Sequence, residues 1–126
     1  MRTLMGIFFV LHGLAHAVGI LATWTRVDVG FRDALWLLPG PVRLRSPIGS
    51  AFGAVWLVAL VGWVIAGAGA IAGAEWWPAL AVGSAVVSLA AMVPWWDAMP
   101  PGVRLGILAD VVVIVVLLSP LGSGVT

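Results

Sequence analysis

Cysteine, lysine and tyrosine are all missing from this chain of 126 residues. Without cysteine there is no disulfide framework, no thiolate nucleophile and no Cys-ligated metal cluster. Without lysine, none of its glycine-rich stretches can act as a phosphate-binding P-loop, which sets a lysine on the phosphates. Without tyrosine, the amphipathic aromatic rings are the tryptophans. Charge is scarce as well: 9% of residues are charged, where soluble domains carry about a quarter. Six arginines stand against five acids, too even a balance for a nucleic-acid partner.

What is abundant is apolar surface. The chain is 63% hydrophobic, with a mean hydropathy of +1.18. Four runs, near 4–23, 48–72, 76–94 and 103–119, approach or exceed the roughly 20 helical residues that cross a hydrocarbon core of ~30 Å. They are continuous rather than alternating, which favours helices over barrel strands. Ser46-Pro47 is a helix start, a capping hydroxyl followed by proline where no amide partner is needed. Pro78 starts the third run in the same way, Pro94 ends it, and Pro100-Pro101-Gly102 breaks the chain before the fourth. Trp24 closes the first run, and Trp76-Trp77 and Trp95-Trp96 bracket the third. Indoles prefer the membrane–water interface, and the spacing of these pairs corresponds to ~30 Å of helix. Two histidines and the length of the first run argue against a cleaved signal peptide.

The expected fold is therefore all-α: an integral membrane four-helix bundle forming one transmembrane domain over residues 1–126. The one long connection, 24–47, holds four of the six arginines. Within it Phe31, Leu35 and Leu38 follow helical spacing, which predicts a short interfacial helix; an ordered loop is the alternative. Pro39-Gly40-Pro41 ends either element. Arginine asymmetry puts this loop on the cytoplasmic side and both termini outside, although Arg2 beside the first helix argues the other way. Gly49-x-x-x-Gly53, Gly69-x-x-x-Gly73 and Ser84-x-x-x-Ser88 are small-residue spacings that let helices approach closely within the chain or between copies. A chain rich in glycine and alanine also produces them by chance.

The chemistry gathers at one depth. His12 and His16 bracket the centre of the first run and lie ~40° apart around a helix. Asp110 is near the centre of the fourth, and Ser84 and Ser88 bracket the centre of the third. An ionisable group at mid-bilayer costs at least ~2.5–3.5 kcal/mol, so Asp110 is expected to face the bundle interior and meet His12, His16 or both. Four readings follow. The cluster is a structural ion pair, a proton relay, a divalent-metal site with His12, His16 and Asp110 as ligands, or a polar contact for a lipid-soluble headgroup such as a quinone. Histidines on one helical face cannot reach opposite sides of one iron, which excludes bis-His haem between them. No nucleophile elbow accompanies Ser84 or Ser88, which argues against a serine hydrolase.

His12-Gly13-Leu14-Ala15-His16-Ala17-Val18-Gly19 resembles the first-helix signature of DoxX-type small membrane proteins, roughly His-Gly-Leu-x-Lys-x-x-Gly. His12, Gly13 and Gly19 match it position by position. His16 stands where the family has lysine, and the fourth run lacks the family's Ser-Leu-Asp. The resemblance implies a bacterial four-helix bundle accompanying membrane oxidoreductases, with quinone involvement in one branch. The expectation is thus a multi-pass protein of the cell (inner) membrane. Its role would be that of a non-catalytic accessory or subunit of a membrane redox complex, in contact with lipid, a membrane partner or a second copy, and not with nucleic acid. The competing classes are a small proton-coupled carrier acting as a dimer and a metal-dependent membrane enzyme. Cysteines introduced at Ser46 and Ser123 should label from opposite sides with an impermeant reagent. Labelling from one side would overturn the count of four spans.

Overall fold

The computed structural model describes residues 1–37, 40–120 and 122; Leu38, Pro39 and Ser123 lie outside them. The described chain runs through α1 (Arg2–Ala15), α2 (Ala17–Trp24), α3 (Pro47–Ala72), α4 (Trp77–Met92), a 3₁₀ turn (Val93–Trp95) and α5 (Pro101–Leu118). No strand occurs among the described residues. Taking α1 with α2 and α4 with its 3₁₀ turn gives four helical stretches, each long and apolar enough to cross a membrane.

The helix limits follow from local chemistry. Ser46 caps α3 by accepting from the Gly49 amide at 3.2 Å, and Pro47 occupies the first turn. At the other end Gly73 adopts the left-handed conformation (φ 72°), which spares a side chain, and the Ala74 amide bonds the Gly69 carbonyl at 2.9 Å. Pro101 begins α5 instead of breaking the chain ahead of it, since a proline in the first turn forfeits no helical hydrogen bond.

Helix α3 is the hub, packing against α1, α2 and α4, whereas α5 packs chiefly on α4. The closest approach between helix backbones joins α1 to α3. A Cβ built at Gly67 would lie 2.6 Å from the Gly6 carbonyl oxygen, and one at Gly6 an equal distance from the Gly67 carbonyl. The small-residue spacings singled out in the sequence admit other partners. Gly53 lies against the Trp24 indole, Gly69 against the Trp76 ring, and Gly49 against the backbone of Arg43 and Leu44. Rings and loop backbone, rather than a neighbouring helix backbone, fill those hollows.

The segment between α2 and α3 contains no helix among its described residues. It is the ordered-loop alternative, and long-range bonds explain why. The Arg32 amide donates to the Ala98 carbonyl and the Leu37 amide to Pro94, each at 2.9 Å, while Leu35 and Arg43 form an isolated antiparallel bridge. Those bonds need extended backbone and override the local helical spacing. Phe31 and Leu44 are buried beneath it.

The apolar core divides in two. One cluster, at the loop end, centres on Ala22, Phe31, Leu44, Trp56, Met92 and Trp95. The other, toward the termini, centres on Phe9, Trp63, Ala70, Trp77, Ala85 and Val113. Each tryptophan pair flanking α4 divides the same way: Trp76 and Trp96 are exposed while Trp77 and Trp95 are buried. Gly67→Leu should destabilise the protein in detergent by about 1–3 kcal/mol, because the added atoms overpack a backbone contact. Gly83→Ala, where nothing lies within 4 Å of the new carbon, should leave the unfolding temperature unchanged or raised. Equal stabilities for the two variants would exclude close α1–α3 packing.

Candidate functional site

Between the two apolar clusters lies a polar layer, and three of the four helical stretches show the interruption along their length, whereas α3 stays apolar from Trp56 to Trp63. In α1 and α2, His12 and His16 fall between Phe9 and Ala22; in α4, Ser88 falls between Ala85 and Ala91; in α5, Asp110 falls between Ile107 and Val113. His16, Ser88 and Asp110 are buried, Asp110 and Ser88 completely.

The first predicted run is not one uniform helix. It tightens at His16, whose amide donates to the Gly13 carbonyl while its own carbonyl accepts from the Gly19 amide, both at 3.0 Å and both three residues apart. His16 Nδ1 lies 2.9 Å from the His12 carbonyl oxygen. A carbonyl only accepts, so Nδ1 carries a proton and Nε2 is directed away from its own helix. The local break therefore fixes both the tautomer and the direction of the ring.

Nε2 of His16 lies 2.6 Å from Ser88 Oγ. The Ser88 hydroxyl donates to Asp110 Oδ2 at 2.5 Å, and His12 Nε2 donates to Asp110 Oδ1 at 2.8 Å. Asp110 thus meets His12 directly and His16 through one hydroxyl. Both carboxyl oxygens are bonded, which meets the requirement on a carboxyl group buried among apolar side chains. The His12–Asp110 contact becomes an ion pair when the imidazole is protonated and the carboxyl ionised. The His12 ring is also held by packing. Phe8 stacks on it with centroids 5.6 Å apart, and Trp63 presents an edge at 5.0 Å.

One ligating atom from each of His12, His16 and Asp110 lies within 4.8 Å of the others, close enough to gather round a cation. Here those atoms are engaged with one another and with Ser88. The other predicted member, Ser84, is not part of the node. Its hydroxyl returns to the Leu80 carbonyl at 2.8 Å and lies against Gly62.

Beside the node is a cavity of about 220 Å³, lined by both histidines with Trp56, Val18, Met92 and Gly106 among others. Nε1 of Trp56 is buried and has no hydrogen-bond partner. Leaving such a donor unsatisfied costs about 1–3 kcal/mol, and the buried Nε1 atoms of Trp63 and Trp95 share that state. Trp56 was not among the predicted site residues. Its signal was present in the sequence: Trp56 and Trp63 lie mid-run and seven apart, on one helical face. Comparison with protein-family models, curated proteins and solved structures gives no match.

Asp110 joins two helices through two hydrogen bonds, each worth roughly 0.6–1.7 kcal/mol between apolar helices. Asp110→Ala should therefore lower unfolding stability in detergent by about 1–3 kcal/mol, with a smaller loss for Asp110→Asn, which can still accept from His12 and donate to Ser88. Histidine NMR of Asp110→Asn should show both imidazoles displaced. Two unmoved imidazoles would contradict the node.

Proposed function

We propose that this chain is a multi-pass protein of the bacterial cell membrane that holds a quinone-type headgroup beside the His12–Asp110–Ser88–His16 node. In this reading it is a non-catalytic accessory or subunit of a membrane redox complex. The observation that carries the proposal is the cavity itself, walled by both histidines and the Trp56 ring. Its size is adequate, since an apolar cavity of about 150 Å³ admits a benzene ring. Its chemistry suits a ring that is apolar on its faces and polar at its carbonyls: Val18, Met92 and Val103 pack the faces, and Trp56 and the histidines supply hydrogen-bonding groups. A second, apolar cleft lies between α1 and α5, along Leu4, Phe8, Val112 and Val116, and suits a hydrocarbon tail.

Membrane insertion is supported by the four long apolar helices. The arginine-rich 24–47 loop supports a cytoplasmic position for that loop and an external one for both termini. The first-helix resemblance to DoxX-type proteins is consistent with a redox-associated role.

The test is calorimetry on the protein in lipid nanodiscs, titrated with short-chain ubiquinone and menaquinone analogues. Saturable binding beyond that of empty nanodiscs is expected. Trp56→Phe should weaken it roughly fivefold, the loss of one hydrogen bond of about 1 kcal/mol. Uptake no greater than that of empty nanodiscs would overturn the proposal. Co-purification of a larger oxidoreductase from native membranes tests the accessory role separately.

A further inference from the structure

The bonds around Ser88 permit a more specific conclusion. Ser88 has one hydroxyl proton and two strong neighbours: His16 Nε2 at 2.6 Å and Asp110 Oδ2 at 2.5 Å. The remaining contact, to the Met92 sulfur at 3.7 Å, is with a weak acceptor. His16 Nδ1 is already committed to the His12 carbonyl, so Nε2 presents either a lone pair or a second N–H. If Asp110 is ionised and His16 neutral, two acceptors compete for the one hydroxyl proton. If Asp110 is protonated and His16 cationic, two donors converge on Ser88 and its proton is left to the sulfur.

With one proton shared between Asp110 and His16, two arrangements satisfy both short contacts; with both groups protonated the hydroxyl turns to the Met92 sulfur instead. In the first, imidazolium Nε2–H donates to Ser88 Oγ, and the Ser88 hydroxyl donates to the Asp110 carboxylate. In the second, the Asp110 carboxyl O–H donates to Ser88 Oγ, and the Ser88 hydroxyl donates to neutral His16 Nε2. The heavy atoms occupy the same positions in both. His12 Nε2–H donates to Oδ1 in both.

We propose that Asp110, Ser88 and His16 form a proton wire in which Ser88 hands a proton to one neighbour as it takes one from the other. Passing from the second state to the first, the Asp110 O–H bond breaks and its proton bonds Ser88 Oγ. The former Ser88 proton leaves Oγ and bonds His16 Nε2. Each electron pair stays with the atom that lost its proton, so two neutral groups become a carboxylate and an imidazolium and the serine is regenerated. Burial opposes the charged state. Donation from His12 and Ser88 to the carboxylate, and from the imidazolium to the His12 carbonyl, offsets that cost.

The wire has a direction in space. Asp110 is fully buried, whereas His16 lines the 220 Å³ cavity. Moving the proton to His16 brings it to a ring in the wall of that cavity, which His12, bonded directly to Asp110, also lines. Delivery onward to a headgroup rests on the function proposed above; the wire itself does not.

The experiment is nitrogen NMR of the full chain with ¹⁵N-histidine in lipid nanodiscs, without added quinone. The His16 Nε2 resonance should lie between the protonated and unprotonated limits and drift with temperature, while His12 Nε2 stays at the protonated limit. Ser88→Ala, which leaves both end groups in place, should send His16 Nε2 to one limit, and Ser88→Thr should restore the intermediate position. A wild-type Nε2 fixed at either limit at every temperature would overturn the wire, whether or not the variants fold. An intermediate resonance unchanged by Ser88→Ala would overturn it as well. Failure to bind quinones, with the NMR behaviour intact, would sink the ligand reading alone.

Discussion

A carboxyl group with no exposed surface, in the middle of an apolar helix, is the constraint on which the arrangement of the helices turns. Asp110 must find hydrogen-bonding partners, and none lie on its own apolar helix. It reaches His12 on α1 and Ser88 on α4, so one side chain determines how three helices are placed. This matters most for α5. That helix buries only Asp110 and Val113, too little apolar contact to fix its rotation. Between apolar helices in lipid, the hydrophobic effect does not select one face over another, and directional bonds take over that role.

The same demand acts on the histidines. A uniform helix at His16 would spend the His12 carbonyl on a backbone amide four residues on. The tighter turn takes that amide away to Gly13 and leaves the carbonyl to the imidazole. The irregularity in the helix and the orientation of the ring are two aspects of one exchange of hydrogen bonds. Mid-helix tightening of this kind commonly marks a position whose side chain has work to do.

Much of the fold was legible because the signals were local. Continuous apolar runs, Ser46-Pro47 and the flanking tryptophans placed the four long helical stretches to within a few residues. The depth of His12, His16, Ser88 and Asp110 followed from counting along each run. Long-range and cross-helix pairing was less accessible. Ser84 and Ser88 are equivalent in sequence, four apart on one helix face, yet Ser84 bonds its own helix while Ser88 bridges two others. The choice depends on where α5 sits, which no property of α4 encodes. The predicted interfacial helix gave way for a related reason. Its helical spacing is local, whereas the carbonyls of Pro94 and Ala98 that hold the backbone extended come from beyond α4.

The position of the polar layer also separates structural from functional demands. Asp110 and His12 complete one contact between helices, and Ser88 completes a second by bonding the other carboxyl oxygen. The remaining pair, Ser88 and His16, extends the chain of bonds away from Asp110 and ends at a cavity wall beside Trp56. Extending a polar chain through an apolar interior carries a desolvation cost at every group. What the longer chain of bonds adds is a fixed orientation for His16, whose ring, like that of His12, forms part of the cavity wall.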